Sequence, residues 1–134
     1  MPGCVLRVSG SASKVRKFLA QSNLSPLKVY WRGEPGFPKS RGPSKISGFN
    51  IALSGSVGES IEKQARQAAR FISTYEADML LIKSLGFKNV VIDFGLYDLS
   101  TEEHPWPSYR LPGSFVSLVG SYGFEVNLSF YGAP

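Results

Sequence analysis

Five side chains suited to metal binding or proton transfer fall within one stretch of twelve residues: Asp93, Asp98, Glu102, Glu103 and His104. Carboxylate oxygens beside an imidazole can hold a divalent cation, and this stretch begins in a predicted strand, at whose end sites on α/β sheets commonly lie. One histidine and irregularly spaced carboxylates, however, match no metal motif. An exposed acidic loop is therefore the leading interpretation. We predict no metal site, no catalytic residue and no cofactor, and a metal-dependent enzyme remains the third alternative.

A second stretch combines cations with aromatic rings. Between positions 32 and 45 Glu34 is the single acid, and the cations and rings in or beside this range are Trp31, Arg32, Phe37, Lys39, Arg41 and Lys45. Cations bind phosphates and flat rings stack on unpaired bases, so this pattern is typical of single-stranded nucleic-acid contact. The six glycines and prolines between positions 33 and 43 equally predict a solvated hairpin loop. Recognition of another protein is the third reading of the same stretch.

Trp106 stands between Pro105 and Pro107 in a segment of mixed acidic, proline and aromatic residues. Two roles fit such a tryptophan. It can anchor its loop onto the body of the domain, which we expect, or it can join the basic stretch as an anchor for a partner, because aromatic and arginine side chains dominate binding hot spots.

Cys4 is the only cysteine, so an intramolecular disulfide and a four-cysteine zinc site are both excluded. It alternates with Leu6 and Val8 on the inward side of a predicted strand, which indicates a small buried apolar residue. There is no Gly-x-Ser-x-Gly motif either. We therefore predict that nucleophilic catalysis is not the role of this chain.

The hydrophobic pattern predicts the elements that position these residues. Alternation indicates strands at 4–8, 28–31, 48–54, 89–96 and 124–131, the last with Phe124, Val126, Leu128 and Phe130 inward and the opposite face in water. Helical spacing indicates helices at 11–22, ended by a left-handed Asn23, at 57–84, and after Pro112. The helix at 57–84 should start at a Ser56–Glu59 capping box and bend near Thr74.

The order of these elements predicts a single α+β domain over residues 1–134. We expect a five-stranded mixed or antiparallel sheet with two to three helices packed on one face, close to the ferredoxin-like (split βαβ) plan.

The layout resembles that of small bacterial domains of unknown function. The resemblance covers most of the chain, and three short motifs carry it: residues 31–35 (Trp-Arg-Gly-Glu-Pro), 47–50 (Ser-Gly-Phe-Asn) and 91–95 (Val-Ile-Asp-Phe-Gly). Some such domains are associated with immunity against polymorphic toxins. The resemblance therefore implies a fold more than a role and brings no catalytic residue with it.

Composition limits the partners and the compartment. A net charge of +5 favours nucleic acid, an anionic membrane or an acidic protein as partner. The longest aliphatic run, residues 79–82, is far shorter than the ~20 residues that cross a bilayer. The single cysteine fits a reducing compartment. We expect a cytoplasmic location, no membrane partner and no bound cofactor.

Our leading hypothesis is a non-catalytic protein-interaction domain of the bacterial toxin-immunity type, with a toxin-like protein as partner and the oligomeric state left open. Its predicted binding surface combines both loops: Trp31, Arg32, Phe37, Lys39, Arg41, Lys45 and Trp106. The basic net charge of the chain opposes this hypothesis, because inhibitors of nucleic-acid-cleaving toxins are expected to be acidic. The alternative is an RNA- or DNA-binding domain that uses the basic loop, together with Lys14, Arg16 and Lys17.

Overall fold

The computed structural model describes residues 3–35, 42–55 and 58–132. It contains five strands and four helices, which in chain order are β1 (Cys4–Gly10), α1 (Ala12–Gln21), β2 (Lys28–Tyr30), β3 (Ser47–Ala52), α2 (Ile61–Thr74), α3 (Glu76–Leu85), β4 (Asn89–Leu96), α4 (Gly113–Tyr122) and β5 (Glu125–Phe130). The predicted α+β class and all five predicted strands are confirmed.

The strands form one open mixed sheet in the order β2-β3-β1-β4-β5. β1 is antiparallel to both β3 and β4, and β2 is antiparallel to β3. β5 runs parallel to β4 and is reached through α4, because parallel neighbours need a crossover connection. β2 and β5 are therefore the two edges of the sheet.

All four helices pack on the same face of this sheet. The ring of Phe18 in α1 stacks on Phe49 of β3 with centroids 4.4 Å apart, and Phe115 of α4 meets Phe94 of β4 edge to face at 5.4 Å. The core lies between the two layers, where Leu6 of β1 is fully buried. Within the described residues the opposite face carries no helix, and its side chains range from the nearly buried Val5 and Asp93 to the exposed Arg7.

α1 begins where predicted but ends differently. Ser11 caps it by accepting a hydrogen bond from the Lys14 amide, at 3.2 Å. The predicted left-handed Asn23 is wrong, since within the described ranges only glycines have positive φ. Asp78 of α3 supplies the reason: its Oδ1 accepts hydrogen bonds from the Ser22 hydroxyl at 2.7 Å and from the Asn23 amide at 3.2 Å. These bonds hold the chain extended after α1.

The predicted long helix is two helices. Its bend is confirmed at Tyr75, whose backbone (φ −105°, ψ 40°) leaves the helical region and separates α2 from α3. This division explains why there are four helices rather than the expected two to three.

The predicted start of that helix is wrong. α2 begins at Ile61, with Ser60 accepting from the Lys63 amide at 3.2 Å, while Ser56 lies outside the described residues. Glu59 precedes the helix and forms an ion pair with Lys63 at 3.0 Å. In the described parts of the chain, no helix has the length and apolar character needed to cross a membrane.

Candidate functional site

Trp106 is the most exposed large apolar side chain in the described structure, with 89% of its surface accessible. Our expectation that it anchors its loop is therefore wrong. It belongs to the segment that follows β4, residues 97–112, which we call the Trp106 segment. Leu99 of the same segment is also exposed, at 58%. The chain bends at Pro105 and Trp106, and the indole stays in solvent.

One hydrogen bond ties the Trp106 segment to the residue stretch after β5, and two others link parts of the segment to each other. The Asp98 amide donates to the carbonyl of Gly132 at 2.8 Å, beyond the end of β5. The Tyr109 hydroxyl donates to the Tyr97 carbonyl at 3.2 Å and accepts from the Leu99 amide at 3.3 Å. Trp106 is thus presented from a tethered loop.

β5 continues this surface. Its register places Val126, Leu128 and Phe130 on the same face as buried residues of β4. The predicted inward direction of these three side chains is therefore confirmed. Their burial was overestimated, however, because the three side chains are 38%, 39% and 50% exposed. β5 is an edge strand, and it projects beyond the helical layer. The ring of Tyr109 meets Phe130 at 5.4 Å and joins the strand to the Trp106 segment.

The Trp106 segment is acidic although the chain is basic. Between residues 97 and 112, Arg110 is the single Lys or Arg, whereas Asp98, Glu102 and Glu103 are acidic, and Glu125 begins the adjacent β5. A backbone hydrogen bond from Ser100, at 2.9 Å, and a further one from its side chain lower the pKa of Asp98. These hydrogen bonds therefore favour the charged form of this carboxylate.

The basic stretch occupies another part of the molecule. Trp31 is partly buried against the core, and the Arg16 guanidinium lies 5.4 Å from the centre of its ring. Arg32 and Lys45 are exposed, and the Arg32 amide donates to Ser47 Oγ at 3.0 Å. Phe37, Lys39 and Arg41 lie outside the described residues.

A hollow of about 340 Å³ opens beside this stretch. Tyr30, Trp31, Glu34 and Ile46 are among its lining residues. Backbone pairing between Pro35 and Pro43, with the Ser44 amide donating to the Glu34 carbonyl at 2.7 Å, closes the base of the predicted hairpin loop.

The two predicted loops do not meet. Gly10 pairs with Ser47, so residues 31–35 and 42–46 lie at the sheet end where β1 finishes. Cys4 pairs with Phe94, so the Trp106 segment lies at the end where β1 begins. The loops also flank opposite edges of a five-stranded sheet, about 19 Å apart at ~4.8 Å per strand. One compact surface containing both Trp31 and Trp106 is therefore not formed.

The acidic cluster of the sequence is also divided. Asp93 lies on the helix-free face of β4, where its Oδ2 accepts from Arg7 Nε at 3.1 Å. Its Oδ1 accepts from Asn127 Nδ2 at 3.0 Å and from Ser129 Oγ at 2.7 Å. His104 is exposed in the Trp106 segment. No group of three His, Cys, Asp or Glu side chains suited to a metal ion occurs among the described residues.

Cys4 is fully buried in the core. Burial, and to a smaller extent the charge of Asp93, raise the pKa of its thiol far above the ordinary value of 9.0. A nucleophile needs an accessible thiolate. The geometry therefore gives Cys4 a packing role.

Comparison of the chain with protein-family models, with curated proteins and with solved structures gives no match.

Proposed function

We propose that this protein is a non-catalytic protein-binding domain of the toxin-immunity type, and that it binds its partner through Trp106, Leu99 and the apolar face of β5. The high exposure of Trp106 is the observation that carries the proposal. An exposed tryptophan on a hydrogen-bonded loop offers a large contact area at a low cost in conformational entropy. This property makes tryptophan common at binding hot spots.

The local charge supports a basic partner. Asp98, Glu102 and Glu103 all lie within the eight residues that precede Trp106, so the proposed surface is acidic in a chain of net charge +5. Nucleic-acid-cleaving toxins need basic surfaces to bind their substrates, and an acidic patch complements such a surface. The basic character of the whole chain therefore does not oppose an immunity role for this part of it.

A capture experiment tests the proposal. Immobilised wild-type protein is exposed to lysate from the source cell after nuclease treatment, beside Trp106→Ala and an Arg32→Gln, Lys45→Gln double variant as the control. We expect a discrete protein that wild type and the control retain, and that Trp106→Ala loses. Retention by Trp106→Ala, or capture of nothing, would contradict the proposal.

Nucleic-acid binding is the second candidate, and the distribution of charge favours it. Residues 1–46 hold nine of the fifteen Lys and Arg residues but only one of the ten Asp and Glu residues. This region contains α1 and β2. The Arg16 guanidinium of α1 lies 5.4 Å from the centre of the Trp31 ring, and Lys17, Arg32 and Lys45 are exposed in the same part of the chain. Cations around an aromatic ring are what a single strand requires.

Salt dependence separates the two candidates. Binding of a fluorescent oligonucleotide should weaken steeply between about 50 and 200 mM salt if phosphates dominate. The Arg32→Gln, Lys45→Gln variant should then show a flatter slope, and Trp106→Ala should not. A salt-independent signal, or none, removes this candidate.

We propose further that β1 to β4 follow the ferredoxin-like plan, with α4 and β5 added at one edge, and that the protein acts in the cytoplasm. The antiparallel order β2-β3-β1-β4, in which β3 lies between the two strands joined by α1, supports the plan. A single buried cysteine supports the compartment. A crystal structure with another strand order would contradict the ferredoxin-like plan. Fractionation of the source cell tests the cytoplasmic location.

A further inference from the structure

β5 lies at one edge of the sheet and lacks the usual features that prevent an edge strand from pairing with another chain. Its residues, Glu125–Phe130, include no proline and no lysine, and Glu125 is the one charged residue among them. The other edge differs, because β2 has only three residues and begins with Lys28. Short length and lysine are both common protections of an edge. β5 is therefore the edge suited to pairing.

Alternate residues of β5 direct their backbone groups towards β4 and towards solvent. Tyr131, directly after the strand, donates its amide hydrogen to the Leu96 carbonyl of β4 at 2.9 Å. In a strand, the N–H and C=O of one residue point to the same side, and those of the next residue point to the opposite side. The N–H and C=O groups of Val126, Leu128 and Phe130 therefore point out of the sheet. In the described ranges, no hydrogen bond reaches these groups.

The sequence of β5 and the residue after it is self-complementary about Leu128. A two-fold axis perpendicular to the sheet at Leu128 would pair β5 with the β5 of a second copy in antiparallel orientation. The directly opposite pairs are then Leu128 with Leu128, Val126 with Phe130, Asn127 with Ser129 and Glu125 with Tyr131. Apolar side chains meet on the helix-covered face, and polar side chains meet on the other face. Such matched pairs are the interactions that stabilise neighbouring strands.

The same register satisfies the open backbone groups and separates the charges. Val126, Leu128 and Phe130 all point outward, and only a register centred on Leu128 pairs all three with one another. Each such pair exchanges two N–H···O bonds. A shift by one residue would place outward groups opposite groups that already face β4. Glu125 of the second copy lies opposite Tyr131, so the two carboxylates are about 20 Å apart at ~3.4 Å per residue, and no like charges meet.

We propose that two copies of this protein form a symmetric dimer by antiparallel pairing of β5 with β5, which joins their five-stranded sheets into one sheet of ten strands. One strand per copy buries less than the ~800 Å² per partner of a standard interface, so we expect a dissociation constant in the micromolar range. The dimer uses the backbone edge of β5, whereas the proposed function uses Trp106, Leu99 and the apolar side chains of the strand. Either can therefore fail without the other.

Sedimentation velocity of the purified full chain, over a micromolar to submillimolar concentration series, tests the proposal. The sedimentation coefficient of wild type should rise from that of a monomer to that of a dimer. Leu128→Lys places two ammonium groups opposite each other at the two-fold axis and should stay monomeric throughout. Leu80→Lys, the same change at a half-exposed leucine of α3, is the control and should dimerise as wild type does. A monomeric wild type, or equal dimerisation of Leu128→Lys, would overturn the proposal.

A mixture of two variants tests the register. Leu128→Glu should be monomeric alone, for the same reason as Leu128→Lys. An equimolar mixture of the two should form a dimer, because opposite charges then face each other at the centre of the paired strands. Circular dichroism of each variant shows whether it is folded, as the partial exposure of Leu128 leads us to expect. Folded variants that stay monomeric when mixed would contradict a register centred on Leu128.

Cross-linking gives a measurement that does not need a charge in β5. In Leu128→Cys the two thiols belong to directly opposite residues, whose Cα atoms lie about 5.5 Å apart, within the range of a disulfide. In Val126→Cys, the matched control on the same face, they lie about 14 Å apart along the strands. Cys4 is buried and does not compete. Mild oxidation should link Leu128→Cys into a dimer but not Val126→Cys. Equal linking of both variants, or none of Leu128→Cys, would overturn the proposed pairing.

Discussion

Leu128 on β5 lies directly beside Phe94 on β4 in the register of the two strands, yet Leu128 is 39% exposed while Phe94 is fully buried. The strands run parallel, so both side chains are on the helix-covered face of the sheet. The helical layer ends between them. An apolar strand face therefore continues past the core, which is unusual for an edge strand that carries only one charged residue, Glu125.

This relationship predicts unequal effects of the same substitution at two leucines. Leu6→Ala, in the middle of the core, should lower the free energy of unfolding by about 2–5 kcal/mol. Leu128→Ala should lower it by about 1–1.5 kcal/mol, because 39% of the residue is already in water. Chemical denaturation of the two variants measures both values. Similar losses in the two variants would mean that the β5 face is buried in solution.

Two glycines give a second matched pair. A Cβ at Gly48 would collide with the backbone carbonyl oxygen of Val8 and with the phenol of Tyr30, whereas a Cβ at Gly120 in α4 would meet nothing within 4 Å. Gly48→Ala should therefore separate β3 from its neighbours and cost more than about 2 kcal/mol.

In contrast, Gly120→Ala should stabilise the protein by roughly 0.5–1 kcal/mol, because alanine favours a helix interior. Thermal unfolding should show melting temperatures shifted in opposite directions. A tolerated Gly48→Ala would contradict the close packing of β2 and β3 around this position.

The strands were predictable because their burial is decided by local alternation. Cys4, Leu6 and Val8 face the helices as the sequence predicts. The start of α2 was harder to predict, because Ser56 and Ser60 both stand before the apolar stripe and either could serve as its cap. The break at Tyr75 was predicted from length alone, since the apolar stripe continues from Ile72 to Met79 without interruption.

The candidate sites were less predictable because they depend on which strands become edges. Nothing local in β5 distinguishes a half-exposed Leu128 from a core leucine, and strand order alone decides it. Arg7 and Asp93 are 86 residues apart, so their contact has no local signature. Each does interrupt an otherwise apolar strand, and two such interruptions in neighbouring strands were the available signal.

The Asp93 network gives a third prediction. Asp93→Asn keeps the shape but replaces one acceptor oxygen by a donor, which then faces the N–H donor of Arg7 or of Asn127. The free energy of unfolding should fall by about 1–3 kcal/mol. Asp98→Asn is the control, because Asp98 is exposed and an asparagine oxygen still accepts from the Ser100 amide. Its effect should stay within about 0.5 kcal/mol. Equal effects in the two variants would show that the Asp93 network contributes nothing to stability.

The buried thiol of Cys4 predicts how stability depends on pH. Burial and the Asp93 charge raise the pKa of this thiol in the folded protein far above 9.0, its ordinary value in an unfolded chain. At a pH below this ordinary pKa, the thiol is protonated in both the folded protein and the unfolded chain, so it does not change the free energy of unfolding. As the pH rises above it, the unfolded chain releases the proton and the folded chain does not, so unfolding becomes more favourable.

Stability should therefore fall by about 1 kcal/mol between roughly pH 9 and pH 10. The window ends there because burial also raises the pKa values of Tyr30 and Tyr122, whose ordinary value is 10.0, and these groups add their own dependence above it. Cys4→Ala should be less stable at neutral pH, because it leaves a small cavity, but should lack this fall. Urea denaturation at several pH values compares the two slopes. Parallel slopes would mean that the Cys4 thiol ionises as readily in the folded protein as in the unfolded chain, which its complete burial does not allow.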